Sequence, residues 1–143
     1  MKKTIFSFIL SCLYFPVLFA QAPTWTVDES AYQYTMTFVA KLNMNGKQLT
    51  GANDKVAAFV GNTCRGTSGV TYVNSEASYY AYLTVFSNTQ DEIVYFKLYD
   101  SATDKTTVVS KQIIFKVNEH RGNLFQSYSI AEPALSDQAN ILT

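Results

Sequence analysis

One stretch constrains the fold more than any other. In YQYTMTFVAKL, residues 32–42, the side chains Tyr32, Tyr34, Met36, Phe38, Ala40 and Leu42 alternate with Gln33, Thr35, Thr37 and Lys41. Successive side chains of a strand point to opposite faces, so a period of two over this length predicts a half-buried β-strand. The pattern continues in the same idiom. Asn45-Gly46 marks a turn ahead of a polar loop, 47–53, and VAAFV, residues 56–60, is apolar on both faces, as in a central strand. Gly61-Asn62 offers a tight turn that returns residues 63–66 as a hairpin partner. YYAYLTVF (79–86) and EIVYFKLYD (92–100) predict two more strands, TTVVS (106–110) with QIIFKV (112–117) one strand or a bulged pair, and 124–130 the last. No helical period is sustained anywhere. About eight short strands with regularly spaced turns predict an all-β, two-layer antiparallel sandwich.

The ends bound the domain. MKKTIFSFILSCLYFPVLFAQAPTW opens with two lysines, runs uncharged from Thr4 to Ala20 and then turns small and polar, the form of a cleaved secretory leader. The run is broken by Ser7, Ser11 and Pro16, and a spanning helix needs about 20 apolar residues. Cleavage after Ala20 is expected, giving a leader at 1–20, a sandwich domain at 21–130 and a tail at 131–143 that leaves the domain at Pro133. The second reading, acylation of Cys12 in Ile9-Leu10-Ser11-Cys12, leaves an apolar mature end where a polar tether is expected.

Loss of the leader takes Lys2 and Lys3, so nine basic side chains face eleven acidic ones, and the basic residues are scattered. That excludes a nucleic-acid groove, which needs a basic stripe; nothing remains to hold a membrane. Exported domains with little core usually carry paired cysteines, but only Cys64 survives processing. Stability must come from packing, for which the processed chain keeps Trp25, nine tyrosines and six phenylalanines.

No catalytic motif stands out. Cys64 has one candidate base, the single histidine His120, far away in sequence, and a nucleophilic thiol needs a partner that lowers its pKa. Adjacent strand residues face opposite ways, so an outward Arg65 predicts a core-facing Cys64. Arg65 reads as structural, an ion pair or a clamp on a carboxylate such as Asp54, and Gly66 as a backbone bend. Asp100 and Asp104 bracket a turn and are expected to bond their own backbone. No cofactor is called for. No metal is expected either, although a loop calcium ion stays open. The surplus is in tyrosines: Tyr95 and Tyr99 share a face with Lys97, and Tyr80 and Tyr82 share one opposite Tyr79, Ala81 and Leu83. Such rows stack on sugars or anchor proteins, or simply pair across strands to stabilise the sheet.

The order Trp25, Tyr32-x-Tyr34-x-Met36-Thr37, Asp54-x-Val56-x-Ala58-Phe59-Val60, Cys64-Arg65-Gly66, Leu83-Thr84-Val85-Phe86-Ser87-Asn88 and Phe96-Lys97-Leu98-Tyr99-Asp100-x-Ala102-Thr103-x-Lys105 resembles small exported immunoglobulin-like modules of Bacteroidota-type bacteria, which often stand in tandem ahead of a C-terminal secretion-sorting domain. The resemblance implies export, to periplasm or exterior, and a non-catalytic role, and it supplies no site residue. The charged turn NEHRGN, residues 118–123, departs from it. The expected function is a non-catalytic binding or adhesion module for a glycan or surface protein. The alternative is a structural subunit that self-assembles through exposed strand edges.

Overall fold

The computed structural model describes residues 21–135; residues 1–20, where a leader is expected and which include Cys12, and residues 136–143 of the expected 131–143 tail lie outside the described residues. The alternating stretch forms the longest strand, β1 (Tyr34–Met44), and Asn45-Gly46 turns the chain into β2 (Lys47–Gln48) with both residues at positive φ, the twist a two-residue hairpin requires. Next come β3 (Lys55–Val60), β4 (Thr63–Gly69), β5 (Thr71–Val73), β6 (Ser78–Ser87), β7 (Ile93–Asp100), β8 (Lys105–Val108), β9 (Ile113–Ile114), β10 (His120–Arg121) and β11 (Tyr128–Glu132).

Two sheets pack face to face. One has the order β10-β1-β6-β5, with β11 and β2 also paired to β1; the other has the order β4-β3-β7-β8, with β9 also paired to β7. Expectation and structure agree on an all-β sandwich and differ in detail. Eleven strands replace the eight expected, because β2, β5 and β10 are pairings of two or three residues, too short to show a period. The antiparallel rule also breaks at one edge, where β10 and β11 both run parallel to β1. The final strand begins at Tyr128 and continues through Glu132, burying Ala131, so the domain ends beyond residue 130.

The inner parity of each long strand fills the space between the sheets. Met36, Phe38, Ala40 and Leu42 of β1 meet Val56 and Ala58 of β3, Leu83 and Val85 of β6, and Val94, Phe96 and Leu98 of β7. Phe38 lies edge-on to Phe96 across the layers, ring centroids 5.7 Å apart, and edge-on to Tyr128 at 5.3 Å. Burying a side chain of this size stabilises by roughly 2–3 kcal/mol. β3 is central, as its two apolar faces predict, with β4 and β7 on either side.

The layers come closest where β4 passes β6. A Cβ placed on Gly66 would stand 2.0 Å from the Thr84 carbonyl oxygen, and neither backbone can retreat without opening a sheet. The glycine expected to bend the chain is therefore required for contact between the sheets. Gly66→Ala is expected to destabilise the domain by about 3 kcal/mol, read as a Tm loss of roughly 10 °C or more in a thermal melt. An unchanged Tm would show that β4 is free to move away from β6.

Candidate functional site

Cys64 does not occupy the place predicted for it. The β3–β4 ladder slips between Ala58 and Phe59: Gly66 opposes Ala58, Cys64 opposes Phe59, and Arg65 is the extra residue of a bulge. The bulge resets the parity of the strand. Cys64 thus joins Phe59 outside the interior cluster, half-buried, and its Sγ donates to the Gly66 carbonyl at 3.5 Å. Burial raises its pKa, against smaller opposing effects of that hydrogen bond and of Lys97. His120 lies in the other sheet, where its Nδ1 pairs with Thr37 Oγ1 at 2.7 Å. The thiol and the imidazole are not brought together.

Arg65 is the inward member of the pair. Its guanidinium makes a two-pronged contact with Glu92, 3.2 and 3.4 Å, donates to the Phe86 carbonyl, and covers the Tyr32 ring at 4.7 Å. A structural clamp was expected, and the carboxylate is Glu92, not Asp54. Asp54 is buried and accepts from Gly51 N at 2.7 Å, Ser101 N at 2.8 Å and Ser101 Oγ at 2.6 Å. It ties the 51–54 loop to the turn after β7, and these frame a cleft of about 370 Å³ floored by Met44 and Leu49. Asp100 accepts from Ala102 N and Thr103 Oγ1, as expected of a turn carboxylate, whereas Asp104 takes the Tyr99 hydroxyl. Among the described residues no three His, Cys, Asp or Glu side chains group as metal ligands.

The four tyrosines proposed as ligand contacts are split between opposite outer faces of the sandwich. Tyr80 is buried, with its hydroxyl donating to the Leu124 carbonyl at 3.1 Å and Lys41 Nζ 5.2 Å from its ring centroid, whereas Tyr82 on the same face is 49% exposed. On the other sheet Tyr99 is buried, and its hydrogen bond to Asp104 raises its pKa. Tyr95 is half-buried, stacked on Phe59 at 5.6 Å with its hydroxyl on the Gly61 carbonyl. Trp25 closes over Phe59 edge-on, ring centroids 6.1 Å apart. These four tyrosines do not form a single free row.

Two features that the sequence reading did not single out take their place. β1 pairs with Arg121 at Phe38 and with Tyr128 at Ala40, so six residues, 122–127, stand where one would continue the ladder. They form a loop braced by Asn123, whose Oδ1 accepts from Phe125 N at 2.9 Å and Gln126 N at 2.8 Å. Asn123 N donates to the Gln126 carbonyl, and Gly122 is fixed by the near contact any Cβ would make with Val39 O, 2.3 Å. At its tip Phe125 is 88% exposed. The sequence pattern instead predicts a strand over 124–130 that includes Phe125.

The second feature is a matching split on the other sheet. β7 pairs with Val108 at Lys97 and with Ile113 at Val94; between them Val109 N still donates to the Phe96 carbonyl and its side chain stays in the core, while the segment 110–112 leaves the ladder. It walls a groove of about 430 Å³ lined by Tyr95, Lys97, Val108, Val109, Ser110 and Gln112. Glu132 pins that wall, accepting from Ser110 N at 2.6 Å and Ser110 Oγ at 2.7 Å, and these bonds lower its pKa.

No protein-family model matches this chain, and neither a curated protein nor a solved structure matches it significantly.

Two outcomes follow. Alkylation of Cys64 in the native state is expected to be slower than that of an unfolded control, with its pH–rate midpoint above that of an ordinary thiol; a midpoint near neutrality would contradict the assigned environment. For Glu132 the folded pKa is depressed, so its contribution is present above the ordinary carboxylate range and is lost as pH falls through the folded value. Glu132→Gln should accordingly lower Tm at pH 7, and the gap from wild type should close in acid, below the carboxylate range. A gap that persists there would assign the effect to packing.

Proposed function

We propose that the chain is an exported, non-catalytic binding module whose protein partner docks on the outer face of the six-stranded sheet, with Phe125 as the anchor. The observation that carries this reading is a phenylalanine 88% exposed on a loop whose backbone is already fixed by three hydrogen bonds. An apolar ring held out in water by a rigid support loses little entropy on docking, and such preorganised aromatics dominate interface energetics. Tyr82, opposite Val39 in the ladder from which the loop springs, adds a second exposed ring, this one with a polar tip. Lys41 has no carboxylate partner among the described residues, and His120 is exposed on the neighbouring strand. The complementary partner is therefore an exported or surface protein with an apolar pocket rimmed by carboxylates.

Several observations support a passive role. The thiol and the histidine lie on different sheets, and the leader-like residues 1–20 and the resemblance to exported bacterial modules favour delivery outside the cytoplasm. Assembly through strand edges has less support, because β5 and β8 are three and four residues long and β4 is pressed against β6 at Gly66.

The test is binding of the processed protein to envelope proteins of the producing cell, followed by biolayer interferometry on the isolated partner. Phe125→Ala is expected to weaken binding by about 2 kcal/mol, close to thirtyfold, with Tyr82→Ala weaker in effect. Both variants should keep the wild-type Tm, since neither ring is in the core. Undiminished binding by Phe125→Ala would overturn this reading, as would growth of homo-oligomers with concentration that Phe125→Ala abolishes.

A further inference from the structure

The geometry points to a second binding site on the opposite sheet, the groove beside Lys97, which takes the carboxylated sugar unit of an acidic glycan. Lys97 stands in mid-sheet, paired with Ala57 on β3 and Val108 on β8, and its ammonium lies 4.4 Å from the Phe59 ring centroid and 6.0 Å from that of Tyr95. Aromatic faces hold a cation in place without neutralising it. Among the described residues no carboxylate comes within ion-pair distance of Lys97. The carboxylates around this sheet are spent elsewhere, Asp54 on Gly51 and Ser101, Asp104 on Tyr99, and Glu132 on Ser110. A positive centre is thus held in position with its counter-charge absent.

The lining specifies the rest of the ligand. Tyr95 brings a ring to the groove, Val108 is an exposed apolar wall, and Gln112 is exposed, its amide without a hydrogen-bond partner among the described residues. A flat apolar surface, an amide that both donates and accepts, and one ammonium match a pyranose ring with hydroxyls and a carboxylate. An acidic peptide would use the charge but has no need of the ring platform. The groove volume, about 430 Å³, suits one or two sugar units.

The probes are trigalacturonate and sialyllactose, with trigalacturonate methyl ester and lactose as uncharged counterparts of each, and a hexaglutamate peptide. Titration of the processed protein should show binding of a carboxylated sugar that weakens with salt, with the uncharged counterpart about tenfold weaker or more. Lys97→Met should lose that preference. Because Lys97 also touches Phe59, Gln112→Glu provides a second variant at an exposed position, and it should abolish binding by repulsion without changing Tm. Three results would overturn the assignment: no binding of either acidic sugar at millimolar concentration, equal binding of charged and uncharged sugars, or tighter binding of hexaglutamate. Phe125→Ala should leave sugar binding intact, which separates this site from the docking face.

Discussion

The burial of Phe38 against Phe96 between the layers sets what every other side chain is free to do. Filling that space commits one parity of β1, β3, β6 and β7 to the interior. The other parity is left to the outer faces, where it must be covered or offered to something else. The protein uses both solutions. Trp25 lies over Phe59, the 122–127 loop takes the Tyr80 hydroxyl, and the turn after β7 takes that of Tyr99. Tyr82, Lys97 and Val108 are among the outer-face residues left without such cover, and with Phe125 on its loop they define the two candidate surfaces.

Strands that are long and periodic were legible in the sequence because their pattern is the core itself. β1, β3, β6 and β7 follow from alternation or from a doubly apolar run, and the turns at Asn45-Gly46 and Gly61-Asn62 follow from residue type. Partner choice was not legible. That β10 and β11 should lie parallel to β1 depends on where a chain end finds an open ladder, which no local pattern encodes. A single inserted residue, Arg65, inverted the inference for Cys64, since parity arguments survive only as far as the next bulge. The tyrosines show a similar boundary. Their outward parity could be read, but the partner of the Tyr80 hydroxyl, Leu124, comes from far along the chain, and that of Tyr99, Asp104, is a turn carboxylate expected to bond its own backbone. Phe125 carried no signal, because an exposed phenylalanine and a buried one look alike in sequence.

Both candidate surfaces arise from the same construction. At one edge β10 and β11 share β1 but are separated by a loop; at the other, β8 and β9 share β7 with a gap between them. An unbroken edge of either kind would expose a long row of unpaired amides and carbonyls, a template for aggregation. Interrupting the ladder shortens the edge and releases a few residues whose conformation is still fixed at both ends by pairing. Segments so held are rigid enough to present a side chain and need not satisfy the interior. The same device that protects the edges therefore creates positions that selection can change at little cost to the core.

The two surfaces also differ in what could couple them. They lie on opposite sides of a packed interior about 10 Å thick, with no hinge between the sheets and with Gly66 holding β4 against β6 at backbone contact. Coupling between sites requires an element with two arrangements that both ligands bias. A close-packed interior of interdigitated apolar side chains offers none without opening a void or a ladder. Occupancy of the Lys97 groove should accordingly leave the affinity at Phe125 unchanged, and the two contacts would combine only through geometry. A partner that presented both a pocket for the ring and an acidic sugar would be held by the increase in effective concentration, not by a change in the shape of the domain.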